Sequence, residues 1–102
     1  RDRDRDRRRA MSDADFELLS EGVDRTMFGN DKIDLIGRAA GSNWFSTGQA
    51  AALADRFMFS NDRLEVLARV WPRLADEENA WKLWEKLPLA SDRDKLKARL
   101  GR

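Results

Sequence analysis

A chain of 102 residues, 41% hydrophobic and 38% charged, has the length and apolar content for one modest core under a surface denser in charge than the roughly 25% of ordinary soluble domains. It contains no Cys, His or Tyr, which excludes disulfides, His-based triads, thiol nucleophiles and His/Cys zinc sites, and leaves the redox compartment open. The net charge of +1 conceals an asymmetry: residues 1–9 hold six Arg and three Asp, and the rest of the chain is mildly acidic.

Arg1, Arg3, Arg5, Arg7, Arg8 and Arg9 alternate with, and then follow, three Asp. With nothing apolar to bury, residues 1–10 read as a disordered tail or linker ahead of a helical domain over 11–102. The competing reading is an electrostatic clamp on nucleic acid or another acidic surface, because Arg pairs well with phosphate. The interleaved Asp weaken that reading by competing for the same guanidinium groups. A chain that opens on Arg1 rather than Met also reads as a piece of a longer protein.

Six short helices follow. Ser12 or Asp13 starts one near 12–22 carrying Phe16, Leu19 and Val23, and a second spans 30–40 up to Gly41-Ser42-Asn43. Ser46-Thr47-Gly48-Gln49 has capping-box spacing, and Ala50, Leu53, Ala54 and Phe57 then recur at i, i+3, i+4, i+7, giving a helix near 47–58. The fourth runs over 61–71 to Pro72. Asp76-Glu77-Glu78-Asn79 opens the fifth over 77–87, with Ala80, Leu83, Trp84 and Leu87 on one face and Pro88 as its stop. The sixth covers 91–100. No apolar run approaches the roughly 20 residues of a membrane-spanning helix.

The chain repeats itself. Phe28-Gly29-Asn30-Asp31-Lys32 aligns with Phe59-Ser60-Asn61-Asp62-Arg63 and with Leu89-Ala90-Ser91-Asp92-Arg93, and the match continues through Leu35, Val66 and Leu96, then Gly37, Ala68 and Ala98, then Arg38, Arg69 and Arg99. A period of about 30 residues is that of a helix pair. The fold class expected is therefore all-α, three tandem helical hairpins forming a short solenoid or compact bundle. Asn30, Asn61 and Ser91 are placed as N-caps, with Phe28, Phe59 and Leu89 folding back as hydrophobic staples. Asp34 to Arg38 and Glu65 to Arg69 are spaced as i,i+4 ion pairs, and Lys95 in the third copy loses the pair.

The phrase Phe59-Ser60-Asn61-Asp62-Arg63-Leu64-Glu65-Val66-Leu67, followed by Trp71-Pro72-Arg73 and Asp76-Glu77-Glu78-Asn79, resembles the bacterial domain of unknown function 4476. The resemblance covers about residues 11–100. It implies an all-α domain, often near the C-terminus of longer bacterial proteins, many of them exported, and leaves localisation between cytoplasm and cell envelope. It brings no activity and no binding residues. The third copy departs from the pattern, with Leu89 for the aromatic and Asp94 for the aliphatic, and so reads as an edge unit.

Four Trp are many for this length, and Trp concentrates in protein interfaces. Trp71 and Trp84 fall on core faces. Trp44 and Phe45 in the 41–47 connection and Trp81, beside the apolar stripe, are the candidates for a partner groove together with Arg38 and Arg69. Asp-rich turns lack the EF-hand pattern and read as helix caps, and the Gly residues form no phosphate loop. No catalytic constellation, cofactor site or metal site is expected. The function expected is a non-catalytic protein-interaction or scaffolding module, monomeric or weakly self-associating, whose alternative is an adaptor for nucleic acid or an acidic surface that uses the Arg tail.

Overall fold

The computed structural model describes residues 8–101. Ser12 opens α1 (Asp13–Arg25) by accepting from the Asp15 amide at 3.1 Å, and Thr26 closes it, its hydroxyl donating to the Gly22 carbonyl at 2.8 Å. After α2 (Gly29–Ala40) the chain breaks at Gly41-Ser42-Asn43. The capping box expected at Ser46 and Gln49 is present and starts α3 (Thr47–Asp55). Then come α4 (Ser60–Val70), a 3₁₀ turn at Trp71–Arg73, a 3₁₀ helix over Glu77–Lys86, and α5 (Ala90–Leu100). Gly101 ends α5 at φ +75°, a backbone that favours glycine. Among the described residues no strand forms; two isolated bridges are the only sheet-like pairings.

Those bridges align the copies. Ala10 pairs with Trp44 and Phe45 with Leu74, both parallel, through Met11 N to Trp44 O, Phe45 N to Arg73 O and Ala75 N to Phe45 O, each 2.8 Å. These three short extended stretches lead into α1, α3 and the 3₁₀ helix, which therefore start side by side and run the same way. Side chains reinforce the register. Gln49 Nε2 donates to the Met11 carbonyl at 2.8 Å, and Asp76 accepts the Thr47 amide at 2.7 Å and its hydroxyl at 3.0 Å.

The hairpin turns consequently sit together at the opposite end. There the copies are joined by Arg56 to Asp24 at 3.1 Å and Lys86 to Asp55 at 2.8 Å, the same acid-to-cation step taken twice. A second repeated device acts within each hairpin. Lys32 donates to the Val23 carbonyl at 2.7 Å, Arg63 to Phe57 at 2.8 Å and Arg93 to Leu87 at 2.6 Å. A cation in the first turn of a helix is disfavoured by that helix's own dipole. Here it reaches back to carbonyls at the end of the preceding element, where positive charge is favoured.

α4 is the central helix, packed on α2, α3 and α5. Its Leu64, Val66, Leu67 and Val70 join Val23, Ile36, Phe45, Leu53, Leu83, Leu87 and Leu96 in one buried cluster. The whole is a slab of 37 × 32 × 18 Å, whose shortest dimension is that of two helix layers. Trp71 is buried against Trp84, their ring centroids 4.8 Å apart, as expected of core residues.

Three local expectations are corrected. The second helix of each copy begins one residue early and its N-cap lies two residues before the expected one, so Phe28, Phe59 and Leu89 occupy the N-cap with no side-chain capping bond, and Asn30, Asn61 and Ser91 lie in the first turn. The same three apolar residues are exposed and form no staple; the residues four further on are Lys32, Arg63 and Arg93, which offer no apolar partner. Asp34 and Arg38 make no ion pair, whereas Glu65 and Arg69 do, at 2.9 Å.

Candidate interaction surface

The residues nominated by sequence do not form one groove. Phe45 has no exposed surface. In the extended lead-in, alternation turns its side chain into the core and leaves Trp44 half-exposed, so Phe45 packs and cannot line a groove. Trp44 lies under the Arg73 guanidinium, 4.2 Å from the ring centroid, with Arg8 at 5.3 Å, and Arg73 is itself held by the Asn43 carbonyl at 3.1 Å. Trp81 stands 67% exposed on the 3₁₀ helix, its only cation contact among the described residues being Lys82 of the same element at 5.6 Å. Arg38 is exposed beside a cleft formed with Thr26, Asp31, Asp34 and Leu35. Arg8 and Arg9 are exposed; Arg1, Arg3, Arg5 and Arg7 lie outside the described residues.

Two residues of the repeated Arg column, Arg69 and Arg99, hold elements of the fold together. Arg69 runs across Gly37, where a Cβ would stand 3.3 Å from its Cδ, and holds Glu65. Arg99 of the third copy takes the same carboxylate at 2.6 and 3.3 Å. The Arg99 hydrogen bond is the chief reason the Glu65 carboxyl titrates below the ordinary carboxylate range, with burial opposing it and Arg69 adding to it. The open groove alongside, about 380 Å³ between α4 and α5, is lined by Asn61, Leu64, Glu65, Lys95, Ala98 and Arg99. Its carboxylate accepts from both guanidinium groups. Among the described residues no cluster of three potential metal-ligating side chains occurs, and no helix is long and apolar enough to cross a membrane.

The conspicuous surface is at the turns. Met27 and Phe28 are 82% and 64% exposed, Met58 and Phe59 84% and 67%, and Leu89 58%. They occupy equivalent places in three adjacent hairpins. The Asp24–Arg56 and Asp55–Lys86 pairs bring neighbouring turns together, and Asp62 lies 4.0 Å from where a Cβ on Gly29 would be. The sequence carried the signal in its three apolar–apolar steps, Met-Phe, Met-Phe and Pro-Leu, each ahead of a helix with a charged residue four positions on.

A family model described as a domain of unknown function (DUF4476) matches residues 10–100. The chain belongs to this family. No curated protein and no solved structure matches it. The DUF4476 match begins at Ala10, the residue whose bridge to Trp44 sets the register of the first hairpin. The DUF4476 domain thus takes in the lead-in, while the Arg/Asp tail falls outside it.

Proposed function

We propose that this domain is a non-catalytic protein-interaction or scaffolding module whose contact surface is the row of hairpin turns, Met27-Phe28, Met58-Phe59 and Leu89. The observation that carries the reading is a conflict between folding and sequence. Helix N-caps favour Ser, Thr, Asp and Asn, whose side chains satisfy free amides. This chain places Phe, Phe and Leu there, without a capping bond and largely in water. Local choices that work against folding mark functional positions in otherwise consistent folds. Large exposed apolar patches mark association sites, and Met adds a side chain that adapts to its partner.

The test compares the chain with a Phe28→Ser, Phe59→Ser, Leu89→Ser variant, which supplies good caps at all three places. Proteins retained by the parent chain and lost by the variant, with no fall in melting temperature, support the reading. Equal retention by both overturns it.

A further inference from the structure

The acid-to-cation ladder across the turns has two unused ends. Asp24 is matched by Arg56, and Asp55 by Lys86. Glu85, where the next acid of the series falls, is exposed and makes no ion pair among the described residues. Arg25, next to Asp24 as Arg56 is next to Asp55, is engaged among the described residues only by Glu21 of its own helix, in a solvent-exposed contact at 3.1 Å. The apolar row therefore ends in a loosely held cation at the first hairpin and an unmatched acid at the third.

We infer that the row is covered by a second copy of this chain, packed row against row about a two-fold axis at the middle turn. This rests on the turns being a contact surface and goes beyond it by naming the occupant. The antiparallel arrangement sets Met58 and Phe59 on Met58 and Phe59 of the partner subunit, Phe28 on Leu89 of the partner subunit, and Arg25 on Glu85 of the partner subunit. A two-fold along the row would instead oppose like charges at both ends. The charges thus select the perpendicular axis, and the contact closes as an isologous dimer.

Area and net charge agree with this occupant. Five side chains of about 200 Å² each, at the exposures above, present on the order of 700 Å². That approaches the ~800 Å² per partner of a standard interface and exceeds the ~300–600 Å² patch of an ordinary monomer. Residues 24–32, 55–63 and 85–93 each contain two acids and two bases. Two such rows meet without net repulsion, whereas a polyanionic surface gains nothing from them.

Sedimentation equilibrium of the full chain from micromolar to millimolar concentration tests the dimer. The expected result is a monomer–dimer equilibrium that Phe59→Asp weakens about tenfold or more, with the helical circular dichroism retained because Asp is a good N-cap. Arg25→Glu and Glu85→Arg each weaken association several-fold, and the two together restore it to within about twofold of the parent. A chain monomeric throughout, a dimer indifferent to Phe59→Asp, or charge changes that fail to rescue one another overturns the proposal. So does a monomeric chain that binds vesicles of neutral lipid through these turns. A monomer whose Phe28→Ser, Phe59→Ser, Leu89→Ser variant still loses a foreign partner sinks the dimer and leaves the contact-surface reading standing.

Discussion

Arg99 grips both oxygens of Glu65, at 2.6 and 3.3 Å, while Arg69 holds the same carboxylate from its own helix at 2.9 Å. One acid thus ties the third hairpin to the second and fixes the side chain that lies across the first. Because its folded pKa is lowered, the stabilisation is present above the ordinary Glu value of about 4.3 and is lost as pH falls through the folded value. Glu65→Gln is expected to cost about 1 kcal/mol at neutral pH, the scale of partly exposed ion pairs. Melting curves of the two proteins should converge in acid.

Phe28→Ser and Phe59→Ser should each stabilise the monomer by about 1 kcal/mol, since each supplies the missing acceptor at an N-cap and gives up little buried surface. Denaturant midpoints at low protein concentration check this. A loss of stability would mean that the aromatic rings pack on the domain after all.

Ser20 is buried in α1, its hydroxyl without a hydrogen-bond partner among the described residues. Ser20→Ala removes an unsatisfied group and improves helix propensity, so stability should rise by about 1 kcal/mol. An unchanged or lower midpoint in urea would show that the hydroxyl is satisfied in solution.

Phe45 and Trp81 separate core from surface. Phe45→Ala should cost about 3–5 kcal/mol, as truncation of a fully enclosed aromatic does. Trp81→Ala, at an exposed position, should change stability by no more than about 0.5 kcal/mol. Paired thermal denaturation distinguishes them.

Helix content and the threefold hairpin were readable because a period of about 30 residues, the Ser46–Gln49 capping box and the breaks at Gly41 and Pro72 are all local signals. The helix starts at Gly29, Ser60 and Ala90 are not legible in the sequence, for one reason. Side-chain chemistry points to Asn30, Asn61 and Ser91 as N-caps, and a Phe or Leu stands where that chemistry predicts a polar residue. The inward turn of Phe45 depends on a parallel bridge to Leu74, a partner 29 residues away that no local pattern reveals. The destinations of Lys32, Arg63 and Arg93 depend equally on the hairpin closing. Alignment shows that these residues recur; only the fold shows which carbonyl each one reaches.

The 3₁₀ winding of Glu77–Lys86 has a consequence for how the domain breathes. A 3₁₀ helix has poorer hydrogen-bond geometry than an α-helix and is seldom sustained for ten residues. This one is held from outside, by Asp76 against Thr47, by Lys86 against Asp55 and by the burial of Ala80 and Leu83. Its amides should therefore exchange with solvent through a local opening well below the global unfolding free energy, while those of Val66, Leu67 and Val70 in α4 exchange only when the whole domain opens. The last hairpin is then the first to let go, and the central helix the last.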